Sequence, residues 1–505
     1  MSPRRIFLLL LVFMALFTGL HYVKPLERYF PSMEEFVPDH IVEYVKGNKR
    51  TTLQHEPHTL NDTLLNSVPD TVTVNERLPV VPDSLYGRGN QVRIMYYGDS
   101  QIEGDRFSSY LRHSLQERFS GSGPGLFLPV MPVMYTRSVN VTSSSNWERY
   151  NYMSYRNGDI SHTGFGPMLA MCRYLPEGTV AEDSVTATVT VKPSVYADSL
   201  SSRYCNLRLF YRNTEGAVAF SVKADNEYVF RTALDTSASV SEVVCHPGSA
   251  KDITLEFKGT VSPDILGISI ESAAGAVVDN IPQRGSAGLE FTMTDRRSMA
   301  EAYNMLLPDL FIMQYGLNVA TNVKGEYTNY RKGIERQIAL LKQIAPAAAV
   351  LVIGVTDIAS GEGGTVRSYR NIPAVIGAQQ AAAEAAGAHF WNSYEAMGGD
   401  SSIIRWALLS PPLAQKDHVH FTDAGADTLA HRLVREMFAY SNTVSAETHT
   451  QHDIAAPAAT GNTIVEPAKP CIINKIIDSI IKHDRNRPMI FSSPAFWVFL
   501  LSVIA

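Results

Sequence analysis

The sequence predicts an α/β domain with a parallel sheet, interrupted by a β-sandwich insert and preceded by an N-terminal membrane anchor. Three patterns carry this expectation. Near-continuous apolar runs, "VRIMYYG" (92–98), "PDLFIMQYG" (308–316) and "AAAVLVIGV" (347–355), have the composition of parallel strands buried on both faces. Helical repeats follow each of them. Between the first two runs, four segments alternate apolar and polar residues, the mark of strands with one buried face. Strands and helices that alternate on both sides of a β-only stretch mean one α/β domain with an insertion.

The chain opens with a basic flank, "MSPRR", and the apolar run "IFLLLLVFMALFTGL" (6–20). No small-residue cleavage site follows, so an uncleaved anchor over residues 1–24 is preferred to a cleaved signal. Arg4 and Arg5 then stay in the cytoplasm, and the bulk of the chain is exported. Residues 25–90 are polar and weakly periodic and read as a stalk. The first α/β part is expected over 91–180, where Phe107, Leu111, Leu115 and Phe119 form a helical stripe at spacing four.

The insert is expected over 181–280, from the alternating segments 184–191, 206–212, 253–259 and 266–272. Cys205 and Cys245 fall inside it and are candidates for a disulfide in an exported chain. The second α/β part spans 281–440. It holds a helix with Ile334, Ile338, Leu341 and Ile344, an Ala-rich helix over "IPAVIGAQQAAAEAAGAH", and a last helix that Asp423 is expected to cap. Residues 441–470, rich in Thr, Ala and Pro, read as a linker. The tail, 471–505, is amphipathic and then apolar. A second membrane segment, a truncated one and a reading-frame artefact all fit it.

Composition narrows the function. A hydrophobic content of 45% with 19% charged residues suits a chain with a sizeable core. The net charge of −6 gives no support to nucleic-acid binding. The sequence carries no C-x-x-C pattern, and "DHVH" lacks a second ligand cluster, so no metal and no cofactor are expected.

In open α/β sheets, reactive groups gather at the carboxyl ends of strands. Three such ends carry chemistry: Gly98-Asp99-Ser100, then Gly316 and Asn318 in "QYGLN", then Asp417, His418 and His420 in "KDHVHFTDAG". A serine hydroxyl is a weak nucleophile until a base takes its proton. His420 is the candidate base, and Asp417, three residues earlier, the group that fixes its tautomer. The Ser100 N–H and the Asn318 amide are candidate donors to an oxyanion. His418 is read as a flanking residue. Glu103 and Asp105 are read as solvated or dipole-favoured carboxylates of the first helical turns, with no catalytic role.

These blocks resemble the SGNH (GDSL-type) hydrolase superfamily: Gly-Asp-Ser, then Gly-x-Asn, then Asp-x-x-His followed by the "HFTDAG" tail. The resemblance implies the three-layer SGNH fold and a serine esterase with Ser100, His420 and Asp417 as triad. It also implies an oxyanion hole of Ser100, Gly285 and Asn318. Gly285 matches the family's glycine block through "VVDNIPQRGSAG", with Pro282 where relatives have Gly and Gly288 as the fallback. With a β-domain between the first two blocks, the layout is similar to bacterial peptidoglycan O-acetylesterases. The implied substrate is an acetylated envelope glycan, met on the outer side of the bacterial inner membrane.

The tail "MIFSSPAFW" resembles the start of membrane-bound O-acyltransferases. That raises a rival reading, an O-acetyltransferase working with such a partner. A second rival is a non-catalytic glycan-binding protein. The aromatic stretch with Trp147, Tyr150, Tyr152 and Phe165 admits a sugar groove, although packing is the preferred reading.

Overall fold

The computed structural model describes residues 91–133, 135–361 and 365–451, with side chains of the last helix described as far as Met437. The expected anchor, stalk and tail lie outside these residues. Among the described residues no helix is long and apolar enough to cross a membrane.

The centre is a parallel sheet of five strands: β1 (Gln91–Gly98), β2 (Gly275–Pro282), β3 (Leu310–Gln314), β4 (Ala349–Ile353) and β5 (His389–Trp391). They lie in the order β2-β1-β3-β4-β5. Chain direction across the sheet reverses at β1, so a crevice opens beyond the carboxyl ends of β1 and β3.

Successive side chains of a strand face opposite ways, and both faces of this sheet are covered. Val92, Ile94 and Tyr96 join Leu111 and Leu115 of α1 (Ser108–Phe119) and Leu429, Leu433 and Met437 of α5 (Asp423–Gln451). Met95 and Tyr97 join Met299 of α2 (Arg296–Leu306), Ile338 and Leu341 of α3 (Thr328–Ile344) and Val375 of α4 (Ile372–Ala385). Helices on two sides of one sheet make the three layers.

The insert is two antiparallel sheets packed face to face. One holds Gly125–Phe127, Glu148–Asn151, Ala170–Arg173, Asn206–Arg212, Ser241–Cys245 and Asp264–Glu271. The other holds Val139–Ser143, Val185–Pro193, Val218–Ala224, Glu227–Ala233 and Ile253–Gly259. Its strands therefore begin well before residue 181 and end at Glu271, while Gly275–Pro282 is the edge of the parallel sheet. The early strands escaped the period-two pattern for physical reasons. Ala170–Arg173 is buried at every position, and Val139–Asn151 is mostly polar.

The two parts share one core. Sandwich residues Val189, Leu209, Phe257 and Ile268 belong to the same buried cluster as Met95, Tyr97 and Met313 of the sheet. A buried ion network fixes the join: Arg93 of β1 pairs with Asp279 of β2 and with Glu271 of the sandwich, and Arg208 reaches Glu271 at 3.0 Å. Burial works to raise the Glu271 carboxyl, yet the two guanidinium groups outweigh it and hold it down at about 2.

Three local expectations are corrected. Cys205 and Cys245 are both free thiols: Cys245 sits opposite Leu207 across the strand pair, and the Cys205 sulfur lies 3.5 Å from Ser122 Oγ. Thr422, not Asp423, caps α5, its Oγ1 accepting from the Gly425 N–H at 3.2 Å. The helix also continues to Gln451, so the start of the expected linker at residue 441 is helical.

Candidate active site

Four segments deliver side chains to the carboxyl edge of the sheet. The first leaves β1 through Gly98. Here a side chain would meet the Gln314 carbonyl of β3 at 2.8 Å, so the two strand ends can approach only with glycine at this place. Asp99 then caps a tight turn, Ser100–Asp105, by accepting from the Gln101 N–H at 3.0 Å.

Ser100 Oγ lies 2.9 Å from His420 Nε2, and His420 Nδ1 lies 2.7 Å from Asp417 Oδ2. The second Asp417 oxygen accepts the N–H groups of Val419 and His420 at 2.9 and 3.0 Å. Burial acts to raise the Asp417 carboxyl. The His420 ring and these two N–H groups outweigh it and hold it below its usual range. An ionised Asp417 accepts only, so Nδ1 carries the ring proton and Nε2 is left to accept from the Ser100 hydroxyl. Three residues spread over 320 positions of sequence form one unbroken chain of hydrogen bonds.

The expected oxyanion donors come from two neighbouring loops. Gly316 opens the short helix Leu317–Ala320, and Asn318 of that helix donates from Nδ2 to the Ser286 carbonyl at 2.9 Å. This bond joins the Asn318 loop to the one bearing Gly285, which itself leaves β2 with the Gln283 N–H on the Gly98 carbonyl at 2.8 Å. Gly285 has φ +78°, a left-handed conformation that favours glycine. Among the described residues no acceptor pairs with its N–H, nor with that of Ser100. Gly288, the fallback, has its N–H committed to Ser286 Oγ and is packed against the Tyr315 ring.

The structure corrects the reading of Glu103 and Asp105, both of which are buried. Asp105 takes a two-pronged bond from Arg112 at 2.6 and 3.0 Å. Glu103 holds Arg284, the residue before Gly285, at 2.8 and 2.6 Å. The Glu103 partner stands 181 positions away, a pairing that no local pattern shows. Trp147, Tyr150 and Phe165 are buried, and Tyr152 packs partly buried against the same core, as the packing reading expected.

Sequence reasoning missed the residues that hold the loops together. Asp99 accepts from the Leu317 N–H at 3.3 Å and so ties the Ser100 turn to the Asn318 loop. Gln101 donates to the Val419 carbonyl and accepts from the Phe421 N–H, both at 3.1 Å. Arg106 donates to the Ser100 carbonyl at 2.8 Å and to the Phe421 carbonyl at 3.3 Å. No periodicity marks these roles. The only sequence signal is polar residues in a stretch whose neighbours are core.

No protein-family model matches the sequence, and no curated protein matches it closely enough to count as a relative. Solved structures do match. A peptidoglycan O-acetylesterase is similar over 72% of this chain and 93% of its own, with 21% identity and a TM-score of 0.53. A family two carbohydrate esterase from Clostridium thermocellum, seen with cellohexaose, aligns over 61% of this chain and 99% of its own at 9% identity and TM-score 0.24. The acetylxylan esterase Axe2 from Geobacillus stearothermophilus aligns over 32% and 73% at 17% identity and TM-score 0.26. The first of these establishes a shared fold.

Proposed function

We propose that this chain is a serine esterase that removes O-acetyl groups from an acetylated envelope glycan, such as peptidoglycan or another polysaccharide. The observation that carries this is the Ser100–His420–Asp417 hydrogen-bond chain at the switch point of the sheet. The fold shared with a peptidoglycan O-acetylesterase supports the glycan ester as the substrate class.

In this reading Ser100 Oγ attacks the ester carbonyl while His420 Nε2 takes its proton. Asp417 holds the ring and stabilises the imidazolium that forms. The Ser100 and Gly285 N–H groups and the Asn318 amide receive the oxyanion, at no reorganisation cost because their loops are already tied together. His420 returns the proton to the leaving sugar oxygen, and water then resolves the acetyl-enzyme by the same route. The N-terminal apolar run would hold this domain against the outer face of the inner membrane, close to such glycans.

The test supplies the full-length protein with acetylated peptidoglycan, acetylated xylan and a chromogenic acetate ester. Free acetate is measured against acetyl groups moved to acceptor sugars. Acetate release that vanishes in Ser100→Ala supports the esterase. Acetyl transfer to sugar in excess of free acetate favours the O-acetyltransferase and its membrane-bound acyltransferase partner. Glycan binding with neither product leaves the non-catalytic reading.

A further inference from the structure

The residue that follows the nucleophile is buried, yet among the described residues its side chain makes no hydrogen bond within its own turn. Gln101 is 1% exposed, and its amide crosses to the loop of the base. Nε2 donates to the Val419 carbonyl and Oε1 accepts the Phe421 N–H, so the amide grips the backbone on both sides of His420. A primary amide donates and accepts side by side at every pH, as this two-sided grip requires. Arg106 adds a second tie, from Ser100 O to Phe421 O. The His420 loop needs such ties. The His420 and Asp417 side chains are 27% and 43% exposed, and among the described residues the Asp417 side chain bonds only within its own loop.

We propose that Gln101 is a positioning residue that sets the distance between Ser100 Oγ and His420 Nε2 by fixing the backbone that flanks His420. This rests on the esterase reading for its catalytic consequence, though the geometric claim stands apart from it. The logic is that the nucleophile turn and the base loop are remote in sequence and join no common strand. A misplacement of about 1 Å between reacting groups costs about 100-fold in rate. A side chain one residue from the nucleophile that clamps both neighbours of the base removes that freedom directly.

Three variants grade the claim. Gln101→Ala removes both bonds. Gln101→Asn keeps the amide but is one methylene too short to reach either backbone group. Gln101→Glu keeps the reach and the acceptor for the Phe421 N–H, and keeps a donor to the Val419 carbonyl only while its carboxyl is protonated. On a chromogenic acetate ester, kcat is expected to fall about 100-fold in the Ala and Asn variants and less in Glu, with KM held within about threefold. A loss of KM and kcat together, or equal activity in all four proteins, overturns the proposal.

The second readout does not depend on turnover. In crystal structures of the wild type and of Gln101→Ala, the Ser100 Oγ–His420 Nε2 separation is measured. It is expected at 2.9 Å in the wild type and is expected to lengthen by about 1 Å in Gln101→Ala while thermal unfolding remains cooperative. An unchanged separation in Gln101→Ala overturns the proposal, even if the wild type releases no acetate. A wild type inactive on every ester, with the separation lengthened on substitution, removes the esterase reading and leaves the positioning role in place.

Discussion

The carboxyl edge of the parallel sheet and the sandwich beside it share one apolar core but are held by different forces. The sandwich and its join rely on burial and on charges sealed from water, as in the Arg93–Asp279–Glu271 network. The sheet edge is a set of short loops tied by side-chain-to-backbone hydrogen bonds from Asp99, Gln101, Arg106 and Asn318. The difference teaches that substitutions in the two regions should fail differently. Changes at the edge act on rate, and changes at the join act on stability.

The largest separation comes from Ser100→Ala, expected to lower kcat on an acetate ester by about 10⁴-fold or more with no change in unfolding midpoint. Arg93→Ala is the opposite case. It leaves Asp279 buried without its cation and Glu271 with Arg208 alone, at a cost of about 3–5 kcal/mol in urea unfolding, while kcat of the folded fraction stays near the wild-type value. If Arg93→Ala slows turnover of folded protein as strongly as it destabilises it, the division between the regions is broken.

Asn318→Ala falls between them. Removing a proposed oxyanion donor is expected to cost about 100- to 1000-fold in kcat, read by steady-state kinetics with KM little changed. Asp99 sharpens the comparison through pH. Burial pushes its carboxyl up to about 7, although the N–H groups of Gln101, Leu317 and Gly316 oppose the shift. An aspartate in the unfolded chain titrates at ~3.9, so between about pH 4 and pH 7 the folded form keeps a proton that the unfolded form releases. Stability from this group is therefore lost as pH rises through that window. Asp99→Asn should flatten this slope in urea titrations between about pH 4 and pH 8, with stability at about pH 4 below that of the wild type, because its Nδ2 replaces one of the two oxygens that accept the Gln101 and Leu317 N–H groups.

The smallest effect is expected at Gly285. A Cβ there meets nothing within 4 Å, so Gly285→Ala strains only the left-handed backbone, by about 1 kcal/mol. Its measurable consequence is a modest loss of kcat with thermal stability nearly intact.

Legibility from sequence followed the same division. Strands β1, β3 and β4 were readable because a run buried on both faces leaves an uninterrupted apolar signature. The Val185–Pro193 and Ile253–Gly259 strands were readable because one face is wet. Strand β2 was hidden because it starts at Gly275 directly after the sandwich and carries Asp279, whose charge Arg93 neutralises from another strand. At the site, Ser100, Asn318, Asp417 and His420 stood out in sequence because the proposed chemistry fixes their residue types, and the structure brings Ser100, His420 and Asp417 into one hydrogen-bond chain. Gln101 and Arg106 were not, since what they hold is backbone, and backbone partners leave no trace in sequence.

The central claim is that Ser100 is the nucleophile of an ester-cleaving site, and its most direct test is covalent. The full-length protein is treated with a fluorophosphonate probe, the adduct is mapped by peptide mass spectrometry, and acetate release from an acetylated glycan is followed at each extent of labelling. The account predicts one adduct, on Ser100, with activity falling in proportion to it. Acetate release that persists when Ser100 is fully labelled would contradict it.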